Sequence, residues 1–272
     1  MIEADENNLD AWYHLSKVHG ELTKEYFEKL QTKHKDSFFT ALARSHFFES
    51  SGSWEQAGQE LSKAIAIKAD SPELKRRLAW LARRAAGENA TPLAEDAFSG
   101  STRYFYPPPD GDKIRSVYNA EVALVKEVRD PQSESPESLY KLADAHQALS
   151  FLSSLRVLQT DADSYRSHEL RGEALEASGK MDDAIAEYRR ALEIKPELQT
   201  VHFTIGNIEW RRGHMEEAFA ELARELKINS NDPRAHYESG DILLSENKPD
   251  EAEKHFLEAL KFSPGLTEAH LA

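Results

Sequence analysis

The residue spacing predicts an all-α chain, an α-solenoid of helix pairs built as two related modules joined by an irregular connector. Three observations carry this. A period of 34 residues relates Gly172, Gly206 and Gly240, then Ala184, Ala218 and Ala252, then His168, His202 and His236. Fixed periods of this length are the mark of stacked helical units. A second relation, at a constant offset of 127, joins residues 13–68 to 140–195 without gaps, and fifteen of the fifty-six positions are identical. Between the markers apolar residues follow helical spacing, as Ala184, Tyr188, Ala191 and Leu192 do, and no stretch reads convincingly as a strand.

Composition bounds the function classes. Of 272 residues, 40% are hydrophobic and 30% charged, enough apolar material for a core. The 48 acidic residues outnumber the 34 basic ones, and the net charge of −14 repels a phosphate backbone, so no nucleic-acid partner is expected. There is no cysteine, which removes disulfides, thiolate metal sites and a cysteine nucleophile. No apolar run approaches the roughly 20 residues that span a bilayer, and MIEADENNLDAW lacks the basic and apolar parts of a signal peptide. A soluble chain without membrane insertion is expected, with cytoplasmic and exported locations both open.

Taken in order, residues 1–87 form the first module. Its opening, IEADENN, reads as the tail of an earlier helix, and Pro264–Ala272 reads as the start of another. That predicts a chain cut from a longer protein, with any targeting signal lost alongside. From Leu9 to Thr32, and again from Glu137 to Gln159, the residues that would turn a first helix into a second are missing, and each stretch is expected to form one continuous helix. Gly20 weakens the first of these by about 1 kcal/mol. Residues 88–136 form the connector. Tyr104–Pro109 carries three aromatics and three prolines, so it is not helical. It reads either as an extended segment packed against a module, standing in a groove for a ligand, or as a disordered linker. One helix is expected from Lys113 to Val128. Residues 137–272 form the second module, with three regular helix pairs over 165–262. Gly179 and Gly213 supply left-handed turns between the helices of a pair. Ala184, Ala191, Ala218, Ala252 and Ala259 lie at close helix contacts.

Trp12-x₂-Leu15-Ser16-x₂-His19, Ala184-x₃-Tyr188 with Pro196, and Ala252-x₃-Phe256 with Pro264 resemble the signature of the tetratricopeptide repeat. Small residues let helices approach and proline stops the second helix of a unit. The resemblance is best over 165–272, weaker over 38–87 and absent over 88–136. It implies a right-handed solenoid. Glu225 departs from an expected small residue, Ser230 from proline, and Arg44 and Arg171 from leucine, departures expected to weaken individual packing contacts.

No residue set supports catalysis, and neither a cofactor nor a metal is expected. The trio His168, His202 and His236 occupies the place that the family gives to a half-buried tryptophan, and equivalent residues in stacked units lie about 10 Å apart, too far to share one metal. These are packing histidines, as are His19 and His146. Paired acids such as Asp182/Asp183 and Glu216/Glu217 fall in first helical turns, where they complement the helix dipole.

The resemblance implies a protein- or peptide-binding scaffold. It places on the concave groove the stripe Glu169, Glu173 and Glu176, then Phe203, Asn207 and Trp210, then Tyr237, Asp241 and Leu244. Spacing alone shows only that each trio shares a helix face. An acidic trio beside aromatic ones fits a ligand with basic and apolar residues, although the same stripe also reads as solvated carboxylates beside aromatics covering the core. Some family members hold the carboxylate end of a chaperone. Asn207 suits that role, but Glu169, Glu173 and Phe203 stand where cations or amides are needed. A positioning arm of a larger multidomain enzyme or secretion machine is the alternative function, and self-association through the ragged ends is a third.

Overall fold

The computed structural model describes residues 8–68, 71–88, 111–128 and 134–266. Tyr104–Pro109 lies outside them. The described residues form twelve helices: α1 (Leu9–Lys33), α2 (Phe38–Ser50), α3 (Trp54–Ile67), α4 (Pro72–Ala85), α5 (Gly111–Val128), α6 (Pro136–Thr160), α7 (Tyr165–Ala177), α8 (Met181–Ile194), α9 (Val201–Arg211), α10 (Met215–Ile228), α11 (Pro233–Ser245) and α12 (Pro249–Phe262). The offset of 127 recurs in the helix bounds. It carries α1 onto α6, α2 onto α7 and α3 onto α8 at both ends. Both expected long helices are continuous, each of 25 residues. Asn8 caps the first by accepting from the Ala11 amide, and Ser135 caps the second by accepting from the Ser138 amide.

Compactness divides the chain elsewhere than duplication does. One unit comprises residues 1–162 with Ala177–Gly179, and the other 163–176 with 180–272. The reason lies in α6, which opens the second sequence copy but packs on α1 inside the first unit. The two helices run antiparallel. Ser150 Oγ donates to the Ser16 carbonyl at 2.7 Å, His19 Nδ1 lies 2.9 Å from His146 Nδ1, and Lys33 pairs with Glu134. His19 and His146 are equivalent residues of the two copies, so a local pseudo-twofold passes between them. From α5, Tyr118 meets His19 Nε2 through its hydroxyl and Trp12 edge to face. The packing role expected for these histidines therefore takes the form of direct hydrogen bonds.

The rest of the first unit packs Leu42, Ala57, Leu61 and Leu81 between α2, α3 and α4. Arg77 and Glu49, each 2% exposed, form a bidentate pair, and Arg77 Nη1 also meets His46. Arginine only donates, so His46 presents a bare Nε2 to it and carries its proton on Nδ1, near the Tyr140 hydroxyl. His46 is held neutral, well below the usual histidine range, first by burial and then by Arg77.

In the second unit the helices pair as expected: α7 with α8, α9 with α10, α11 with α12. Second helices also pack on the next first helix, as Ala184, Ile185 and Tyr188 do against Val201, Ile205 and Ile208. Ala184, Ala191, Ala218, Ala252 and Ala259 are all buried. The turns inside the pairs are left-handed at Gly52, Gly179 and Gly213, and Asn247 serves the same place in the last pair. Helices α8 and α12 stop two residues before Pro196 and Pro264, since the residue preceding proline disfavours the helical region.

Glu225 corrects an expectation. Fully buried where a small residue was anticipated, it does not leave a weakened contact. Its carboxylate accepts from the backbone amides of Thr200 at 2.8 Å and Phe203 at 3.3 Å. Thr200 begins α9 at φ 73° without a side-chain cap of its own, so Glu225 supplies the acceptors that the helix start lacks.

Candidate functional site

The nine stripe residues lie on α7, α9 and α11, the first helices of three successive pairs, and polar links run between neighbouring helices along this face. Between α7 and α9, Arg211 pairs with Glu176 at 2.7 Å. Between α9 and α11, Asn207 Nδ2 donates to Glu238 Oε1 at 2.6 Å, and the Arg234 guanidinium lies 4.4 Å from the centre of the Phe203 ring. Asp232, capping α11, holds Arg234 through two hydrogen bonds to its side chain and so orients it over that ring.

The individual side chains differ in exposure. Glu169 is buried, at 6%. Glu173 is exposed, while Glu176 is half-buried and accepts from the Tyr188 hydroxyl as well as from Arg211. Phe203 and Trp210 are half-buried, resting on the cluster of Ala218, Leu222, Ala235 and Ile242. Tyr237 leans on Phe256, with ring centres 5.8 Å apart. Asn207 and Asp241 are half-buried, and Leu244 is 42% exposed. The face thus joins the stripes of adjacent helices, but the acidic trio is not three equivalent solvent-facing carboxylates.

Three contributors escaped the spacing argument: Arg211, Arg234 and Glu238. Arg211 and Glu238 each directly follow a stripe residue, Trp210 and Tyr237, so a wider stripe would have included them. Arg234 precedes Tyr237 by nearly one turn, which puts it on the same side of α11. Glu238 has its proton affinity raised to a pKa of about 7, mainly by burial, with Asn207 and Arg234 opposing the shift and Asp232 adding to it. Its Oε2 meets no donor among the described residues.

The aligned histidines each bond to the second helix of their own pair. His168 Nδ1 meets Glu187 at 2.7 Å, His202 Nδ1 meets Glu221 at 2.7 Å, and His236 Nδ1 meets His255 Nδ1 at 3.2 Å. Among the described residues no three His, Cys, Asp or Glu side chains are grouped to hold a metal ion, and no helix is long and apolar enough to cross a membrane.

Two family models match the chain. One described as TPR repeat covers residues 172–213, and one described as tetratricopeptide repeat covers 203–267. No curated protein matches it. Among solved structures, it is similar to YrrB, titled a TPR protein with an unusual peptide-binding site, at 13% identity over 90% of this chain and 96% of that one, with a TM-score of 0.39. MamA aligns at 20% identity over 59% of this chain and 98% of its own, with a TM-score of 0.41. The first TPR of Spaghetti (RPAP3), bound to the HSP90 peptide SRMEEVD, aligns at 20% over 41% and 88%, with a TM-score of 0.38. At such identities no residue role passes from those proteins to this chain. Residues 172–267 are tetratricopeptide repeats, and the chain is all-helical where described.

Proposed function

We propose that the chain is a protein-interaction scaffold and that the face shared by α7, α9 and α11 receives a polypeptide segment carrying both basic and apolar residues. Tetratricopeptide repeats are in general a non-catalytic interaction fold, which supports the scaffold reading. One observation carries the choice of face: stripes chosen from three separate repeats adjoin through Glu176–Arg211, Asn207–Glu238 and Phe203–Arg234. Large half-buried rings beside polar groups of fixed geometry are the composition of binding hot spots. Trp210, Phe203 and Tyr237 offer the apolar contact, and exposed Glu173 with half-buried Asp241 offers carboxylates to a cation.

The test is a peptide array probed with the full chain, followed by titration of captured peptides against Phe203→Ala, Trp210→Ala and Tyr237→Ala. Peptides pairing lysine or arginine with a large apolar residue should be enriched. Each substitution should weaken binding by about tenfold or more, the loss of about 1.4 kcal/mol or more that marks an interface anchor. Binding unchanged in all three folded variants removes the face from consideration.

A further inference from the structure

The third helix pair departs from the other two at one polar contact. In the first two pairs of the second unit a histidine faces a glutamate nineteen residues on, His168 with Glu187 and His202 with Glu221. In the third, His236 faces His255 at the same separation. A carboxylate accepts from histidine Nδ1–H whether the ring carries one proton or two. Two histidines behave differently.

The proton positions follow from the neighbours. His236 Nε2 lies 3.1 Å from the Ser230 carbonyl, which only accepts, so this nitrogen carries its hydrogen. The neutral His236 ring then has its lone pair on Nδ1, facing His255 Nδ1, which must be the donor. His255 Nε2 is left bare and takes the first added proton without disturbing the contact. A second proton has only His236 Nδ1 to bind, and there two N–H groups would confront each other across 3.2 Å. The pair admits one proton, not two.

The surroundings do not relieve the second charge. Burial and His236 both hold His255 below the usual histidine range, with Glu251 the opposing influence. Glu258 on α12 senses His236, but Lys261 holds it in an ion pair. From α10 the side chain turned toward His255 is the apolar ring of Phe219, edge-on at 6.5 Å. Helix α12 backs α11 through Leu243, Ala252, Phe256 and Ala259, and Tyr237 leans on Phe256.

We propose that the His236–His255 pair is an acid-release latch, in which double protonation parts α12 from α11 and so withdraws α11 from the binding face. The link to ligand release rests on the groove reading above, whereas the latch stands on its own. The opened pair takes up its second proton at the ordinary histidine pKa of about 6.5. The opened state therefore binds more protons, and protection of the third pair is lost as pH falls below that value.

Hydrogen exchange of the full chain without ligand, at pH 7.5 and 5.0 and corrected for intrinsic exchange, separates the two ideas. In a Glu238→Gln background, which removes the opposing acid stabilisation of α11 by Glu238, protection of α11 and α12 should fall about tenfold relative to α9 and α10, the change that one unit of altered proton affinity produces. When His255→Glu is added, restoring the pairing of the other units, the selective loss should vanish. His255→Gln keeps a donor and an acceptor without a second titrating ring, and should also abolish it. Equal loss along the whole second unit, or a selective loss that persists in either variant, overturns the latch. The groove reading is judged separately, by peptide capture at pH 7.5.

Discussion

Replacing Gly172 by alanine and Gly58 by alanine should move stability in opposite directions, although both are helix-interior glycines. The change relieves the same backbone cost in each case, about 1 kcal/mol in favour of alanine. What differs is the space. At Gly172 a new Cβ would stand 2.6, 2.7 and 2.9 Å from three ring atoms of Tyr188. That ring is almost fully buried and its hydroxyl is held by Glu176, so it has nowhere to retreat. Overpacking of this kind costs about 2–3 kcal/mol, leaving a net loss of about 1–2. At Gly58 the nearest atom is Leu78 Cδ1 at 3.7 Å, an ordinary contact, so the gain of about 1 kcal/mol survives. Denaturant midpoints and melting curves of the two variants should therefore straddle the parent, about 2–3 kcal/mol apart. A Gly172→Ala protein stabilised as much as Gly58→Ala would mean that α7 and α8 do not approach as described.

Three further outcomes follow from the same geometry. Glu225→Ala restores the small residue typical of the repeat yet should destabilise the second unit by about 1–2 kcal/mol, because two amides at the start of α9 lose their acceptor; an unchanged denaturation midpoint would show that the cap contributes nothing. The His19 pKa is lowered from 6.5 to about 4, by burial first and then by His146, so the unfolded chain binds the proton more tightly and stability is lost as pH falls from 6.5 toward 4. The full shift corresponds to about 3 kcal/mol, nearer 2 with the remaining solvent contact, and titration of the His19 ring by NMR near pH 6.5 in the native chain would refute it. Glu238 has the opposite sign: its pKa is raised to about 7, so stability present below 4.5 is lost as pH rises through 7. Glu238→Gln, which keeps an acceptor for Asn207, should raise the melting temperature at pH 8 and leave it nearly unchanged at pH 4.5; equal effects at both values would count against the assignment.

Local periodicity was enough to place the helix pairs, the left-handed turns at Gly179 and Gly213, the buried alanines and the two uninterrupted long helices. Each depends on residues within a few turns of one another, and the repeats give several independent views of the same pattern. Pairings over a long sequence distance were not legible in that way. Helical spacing shows that α1 and α6 each have an apolar face, but not that the two faces meet antiparallel with His19 against its own duplicate 127 residues on. Nor does it show that α6 leaves its own sequence copy to pack in the first unit. Glu225 looked like a defect because the repeat pattern records the size of a side chain, whereas its role depends on two amides more than twenty residues earlier. The same limit applies to the candidate face. Spacing identified Phe203, Asn207 and Trp210 as neighbours on one helix, but the burial of Glu169, the engagement of Glu176 by Arg211, and the Arg234 guanidinium over Phe203 arise only once separate helices are packed side by side. A repeat records what each helix must present to its neighbours, and only the packed structure decides which charges those neighbours bring to the contact.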